Sequence, residues 1–156
     1  MALEYLPIMA AAGAPKAPRV LAPSPELDTL APVPPLNQSR IAIVSSAALR
    51  LAAQDPFTPK EDLSYRVIPS DPAAGTIVID HHSGIGRVPR QDPEIVFPRT
   101  ALAALAEADV IGSVSRAHIS FLGGMRCHDE LTNNMAPAMA RELKTLEVDL
   151  ALLVPY

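Results

Sequence analysis

The stretch EVDLALLVPY, residues 147–156, decides the fold. Residues 149–154 form a run that is apolar after Asp149, with no polar alternation, the kind that makes a strand buried on both faces. A second run, RIAIVSSAA at residues 40–48, carries the β-branched Ile41, Ile43 and Val44 and passes into a turn of small residues. Strands apolar on both faces occur in mainly parallel sheets with helices on either side, so an α/β layer fold is expected. Ligands in such sheets collect just beyond the carboxyl ends of the strands. That rule places the expected site beside Tyr156.

Between the two runs the order of elements is readable. YRVIP (65–69) and TIVID (76–80) are short strands, separated by the turn signal PSDPAAG. PRTALAALAEA (98–108) reads as a helix opened by Pro98, with Leu102 and Leu105 on one face. VSRAHISFLGG (114–124) reads as a strand closed by a glycine pair. NNMAPAMARELKTL (133–146) reads as a helix with Met135, Met139 and Leu143 four apart, Pro137 being tolerable in its first turn.

Composition bounds the rest. The chain has 156 residues, of which 49% are apolar, enough for one domain with a core. Its net charge of −4 shows no basic face for nucleic acid. No run is long enough to span a bilayer, and the N-terminus lacks a basic signal-peptide region, so a cytoplasmic location is expected. The single cysteine, Cys127, fits a reducing compartment. Eight of the 17 prolines fall in the first forty residues. Residues 1–39 are therefore expected to form an extended arm, with at most a short helix in LEYLPIMAAAG, ahead of an α/β domain over 40–156.

No complete catalytic set is visible. Ser45 and Ser46 end the first strand, where ligand contacts belong, although a turn or cap uses serine equally well. In EDLSYRVIP, Arg66 could clamp a carboxylate, and an ordinary ion pair with Asp62 is the alternative. His81 and His82 follow a strand in IDHHSGIG. A metal site there would also need His118 or His128, and no ligand spacing supports it, so none is expected. One histidine acting as acid, base or substrate contact asks less. Gly84 and Gly86 suit an anion cradle or a plain turn. Cys127 has Arg126 and His128 beside it, which would favour a thiolate, but it has no partner cysteine.

Several phrases taken together resemble a known family. They are RIAIVSSAA, QDPF, EDLSYRVIP, DHH, DPEIVFPRTALAALAEADVIGSV, HISFLGG and VDLALLVP, spread in order from about Leu36 to Tyr156. In that order they resemble the selenoprotein B family of glycine, sarcosine, betaine and D-proline reductases. The resemblance implies a selenocysteine or cysteine directly after the terminal strand, a further cysteine two residues on, and then a helix. At a strand end and helix start the helix dipole favours the anionic chalcogen, and the second thiol can resolve its oxidised form. The implied reaction is reductive cleavage of a C–N bond in a small amino acid or betaine-like substrate, with thiols as electron source.

That resemblance sets further expectations. The reading frame is expected to have been ended at an in-frame UGA, with selenocysteine at position 157, since UGA also encodes it. The chain without that segment is expected to be inactive and under-covered at its terminal strand, hence of marginal stability. No cofactor is expected in this chain itself, selenocysteine being expected in the full-length product. Its expected partners are the substrate, a thiol/disulfide redox protein and other reductase subunits, with neither nucleic acid nor membrane. Ser45, Ser46, Asp62, Arg66, His81 and His118 are the matched positions expected to line the substrate site. The competing reading is a binding or assembly module that keeps the α/β domain. A histidine-based hydrolase has no supporting motif.

Overall fold

The computed structural model describes residues 32–59, 62–71, 73, 75–81, 87–124 and 127–156. Most of the proline-rich segment, His82, Gly84, Gly86 and Arg126 lie outside them. The described chain runs through β1 (Arg40–Ser45), β2 (Leu49–Leu51), β3 (Tyr65–Pro69), β4 (Ile77–Ile79), α1 (Arg87–Gln91) and α2 (Arg99–Glu107). It continues through β5 (Ser113–Val114), β6 (Ala117–Phe121), α3 (His128–Glu130), α4 (Ala136–Thr145) and β7 (Leu150–Val154). The unit Val33–Tyr156 has its own core.

β1 is the centre of the sheet, with every residue from Ile41 to Ser45 buried. β7 runs parallel to it on one side, in register from Ile41 opposite Leu150 to Ser45 opposite Val154. On the other side β5 and then β6 run parallel to β1, and β3 closes that edge antiparallel to β6. Helices cover both faces. Ile41 and Ile43 pack with Val96, Phe97, Leu102 and Ile111 on the α2 face. Val44 and Ile119 pack with Met135 and Met139 on the α4 face. Each such large side chain taken from water contributes about 1.5–3 kcal/mol. The α/β expectation holds, with a mixed but mostly parallel sheet.

Several local expectations are corrected. β7 is not buried on both faces. Among the described residues it is an edge strand, with Leu152 and Leu153 exposed by 40% and 69%. Only β1 flanks it among the described residues, and an apolar sequence does not by itself provide a second neighbour. The strand expected over 114–124 is broken, because two residues bulge out between β5 and β6 and shift the register against β1. TIVID leaves the main sheet and pairs antiparallel with β2 in a two-stranded ribbon that the sequence did not reveal. On α2, Leu102 is buried but Leu105 is exposed. Ala106 packs in its place, so the buried stripe steps by four rather than three.

The second helix starts earlier than expected. α3 passes into α4 through a π-turn at Leu131–Met135, where the Ala136 N–H bonds the Leu131 carbonyl five residues back. That wide turn accommodates Pro137, whose ring would collide with a carbonyl four residues back in a regular helix. Met135, Met139 and Leu143 face the core as their spacing requires.

The segment before β1 is tied to the domain. The Leu36 carbonyl accepts from Gly112, and the Ser39 carbonyl accepts from Ser113. A Cβ on Gly112 would lie 2.4 Å from the Gln38 carbonyl carbon. Gly112→Ala is therefore expected to push the 36–39 turn off the sheet, costing about 1–3 kcal/mol. Chemical denaturation of the two proteins measures this, and equal midpoints would mean the turn yields freely.

Candidate functional site

The carboxyl end of β1 is where the chain must leave the sheet without stranding backbone donors. It does so completely. The Ser46 N–H bonds the Val154 carbonyl, and the Ala48 N–H bonds the Phe121 carbonyl. The Ala47 N–H bonds Ser45 Oγ at 3.3 Å, and the Leu49 N–H bonds Ser120 Oγ at 2.8 Å. Serine side chains thus replace ladder partners that the turn removes. Ser45 is fully buried and donates to the Val96 carbonyl at 2.9 Å, so its hydroxyl faces inward.

Ser46 is placed differently. It is half-buried, accepts from the Tyr156 N–H at 2.8 Å and donates to the Tyr156 carbonyl at 3.3 Å. One side chain thereby fixes the backbone of residue 156 beside the end of β1. Gly123 makes this approach possible, since a Cβ there would meet the Ser46 carbonyl oxygen at 2.9 Å and the Tyr156 oxygen at 3.1 Å. The His81 ring stands edge-on to the Tyr156 ring, with centroids 5.0 Å apart. Ser46, His81, Gly123 and Tyr156 therefore converge, and the structure brings two of the six expected site residues together there.

Asp80, next to His81, anchors that side. Its Oδ2 accepts from Arg50 Nε at 2.7 Å and from the Phe57 N–H at 3.0 Å. The Arg50–Asp80 pair is largely sealed, with side chains 13% and 15% exposed. Arg50 also donates to the Leu51, Ala52 and Gln54 carbonyls, which binds the β2–β4 ribbon to the following loop.

Asp62 and Arg66 sit apart from this cluster and organise the loop before β3. Burial opposes ionisation of Asp62, but hydrogen bonds from the Ser64 hydroxyl and the Thr58 and Ser64 N–H groups, aided by the Arg66 charge, hold its pKa below the usual value. The Arg66 guanidinium lies 4.3 Å over the Phe57 ring. It donates to Ser64 Oγ and to the Asp55, Pro56 and Tyr65 carbonyls. Little of its fork is left for a ligand, and its hydrogen bonds go to backbone carbonyls and Ser64 Oγ rather than directly to Asp62.

His118 lies inside the sheet. The bulge between β5 and β6 turns its ring toward β1, where Nδ1 accepts the Ile43 N–H at 3.1 Å in place of a backbone carbonyl. Nε2 therefore carries the proton and faces Ser70 Oγ at 3.0 Å, and that hydroxyl donates to the Ser115 carbonyl. Phe97 packs edge-on to the ring at 5.2 Å. Burial first, and then the charge of Arg99, lower the pKa to about 4. The imidazole is neutral and both nitrogens are occupied.

Cys127 is exposed just before α3. Among the described residues no three His, Cys, Asp or Glu side chains stand together as metal ligands. No described helix is long and apolar enough to cross a membrane. Two concave sites lie away from the carboxyl edge. One of about 310 Å3, lined by Arg40, Ser113 and Glu147, is at the amino end of β1, and one of about 320 Å3 lies against Tyr65 and Met135. Neither gathers reactive groups comparable to the Ser46–His81–Tyr156 cluster. Asp80 was not legible as a site residue, and Tyr156 was legible only as the strand end beside the expected site, because their roles depend on β4 and β7 ending beside β2 and β1.

An α/β domain with its polar groups at the carboxyl edge is what fold and site define. No family model matches the chain, and no solved structure matches it. Among curated proteins it is similar to D-proline reductase subunit gamma of Acetoanaerobium sticklandii, with 28% identity over 118 residues. The match covers 76% of this chain and 49% of the relative, so the chain spans about half the length of the curated protein it matches. The similarity supports a distant relationship to the reductase family.

Proposed function

We propose that this chain is the first part of a reductase subunit of the selenoprotein B type, acting on a small amino acid or betaine-like substrate within a multi-subunit complex. The observation that carries this reading is the 118-residue similarity to a D-proline reductase subunit. The geometry at Tyr156 agrees with it. A selenolate or thiolate at the following position would supply the nucleophile for reductive C–N cleavage, with a dithiol partner giving two electrons and ending as a disulfide. The residues of this chain would position that group. Ser46 grips the Tyr156 backbone through two hydrogen bonds, and Gly123 leaves room for the grip. Ser46 and His81 are the candidates for substrate-side contacts, while Ser45, Asp62, Arg66 and His118 hold the surrounding frame.

Reading the gene through the codon after Tyr156 is the test. An in-frame UGA is expected, followed by a cysteine two residues later and a helix-like segment. The continued product should cleave the C–N bond of at least one of glycine, sarcosine, betaine and D-proline in a dithiol-dependent reaction, releasing ammonia or an amine from the first three and opening the ring of D-proline. A UAA or UAG codon would remove the reductase mechanism from this chain and leave a binding or assembly module.

A further inference from the structure

The hollow of about 320 Å3 beside Tyr65 joins two features that the Ser46–His81–Tyr156 cluster does not use. One is residues 63–65, which lead into β3 within the phrase EDLSYRVIP. The other is the π-turn between α3 and α4, which supplies Asn134 and Met135, with Glu130 directly before it. Pro137 gives that wide turn a steric reason, yet π-turns also recur where helices meet ligands. The floor of the hollow is apolar. Met135 is buried in the core on the α4 face, the Tyr65 ring packs against the same core, and Ala138 lies one turn further along α4.

The wall is polar, and its charge has one sign. Among the described residues that line the hollow, only Glu130 is charged at neutral pH. Glu130 is half-buried, and no cation or hydrogen-bond donor among the described residues reaches its carboxylate. Half-burial without a partner is unfavourable for a carboxylate, so a cation arriving there gains more than at an open surface. Asn134 adds an amide carbonyl that can accept. The Ser64 hydroxyl is already taken up by Asp62 and Arg66. Arg66, the neighbouring cation, is spent on Ser64 Oγ and on three backbone carbonyls, so it offers an anion little.

We propose that this hollow binds one small organic cation, an ammonium or guanidinium head on a short alkyl body. The head pairs with the Glu130 carboxylate beside the Tyr65 ring, whose face also attracts a cation. The alkyl body lies on Met135 and Ala138. A hollow of about 320 Å3 suits a ligand at the small end of the usual range. The proposal does not rest on the reductase reading. An amino acid or betaine-like substrate carries its own carboxylate, which Glu130 would repel, so this is a second site for a different ligand.

The full chain titrated with n-butylammonium and n-butylguanidinium chloride tests this, with n-butanol and sodium butyrate at matched ionic strength as neutral and anionic isosteres. The Met135 methyl resonance, assigned by its loss in Met135→Leu, should shift saturably with both cations and with neither isostere. Glu130→Gln keeps the shape and removes the charge, so it should weaken cation binding about tenfold or more, the loss of one charge-assisted bond. Asn134→Ala should weaken it less, and both variants should keep the circular dichroism of the native chain. Equal shifts with butanol would reduce the hollow to an apolar groove and overturn the proposal. So would cation shifts that never saturate, or an affinity that Glu130→Gln leaves unchanged. The comparison of cations with isosteres needs only the native chain, so it decides the matter independently of how the variants fold.

Discussion

His118→Ala is expected to be among the most damaging single substitutions in this protein, lowering stability by about 3–5 kcal/mol. The side chain is fully buried. Its removal leaves the Ile43 N–H without an acceptor in the middle of the central strand and leaves Ser70 without its ring partner. It also opens a cavity beneath Phe97, which packs against the ring. His118→Gln should recover part of the loss, because an amide offers both an acceptor and a donor. Urea melts at pH 7.5 would measure the series, and a cost below about 1 kcal/mol for alanine would mean the bulge repacks without the ring.

The same residue predicts an acid-sensitive fold. With its pKa lowered from 6.5 to about 4, the folded state resists protonation while the unfolded chain accepts it. The contribution of neutral His118 is therefore complete above about pH 6.5 and is lost progressively as pH falls toward 4. The shift corresponds to about 3 kcal/mol over that window. Asp62 acts lower on the scale. Its depressed pKa adds stability above its ordinary value of 3.8 that fades as pH falls through its folded value. Melts of the native protein between pH 7.5 and 4 should slope downward, and those of His118→Gln should be flatter. Parallel slopes would show that other groups dominate.

Asp80→Ala should cost about 3–5 kcal/mol, as expected when one partner of a buried pair is removed and the other is stranded. Arg50 would be left nearly sealed from water without its carboxylate, and the Phe57 N–H would lose its acceptor. Because Asp80 immediately precedes His81, the loss should also loosen the histidine that stacks against Tyr156. Hydrogen exchange at Phe57 and at Leu49–Leu51 would report the ribbon opening. Asp80→Asn, which keeps the Phe57 acceptor but not the charge, should fall between. If both variants melt with the native protein, the ion pair is only a surface contact in solution.

The class of fold was legible in the sequence because its signals are local. RIAIVSS has no polar alternation, so both faces of β1 had to be covered, and they are. Met135, Met139 and Leu143 recur at a helical period, and they pack on one face of the sheet. The serine pair at the end of β1 lay where ligands are expected in such sheets, and Ser46 does reach Tyr156. What the sequence could not reveal depends on neighbours far along the chain. The apolar run at 150–154 specifies a strand, yet only its place at the edge beside β1 decides that Leu153 is exposed. His118 reads as a polar residue available for chemistry. A two-residue bulge instead turns it into the sheet, where a backbone N–H and a serine hydroxyl occupy both nitrogens. Arg66 reads as a clamp, but the loop before β3 folds back onto its guanidinium. Arg99 carries no motif, and only packing leaves its Nε buried without a hydrogen-bond partner. Periodicity and apolar runs are written in adjacent residues, so the sequence by itself determined most of the elements and the layered class. Whether a polar group is spent or left open depends on residues up to 110 positions apart meeting at one strand end, and only the tertiary structure decided that.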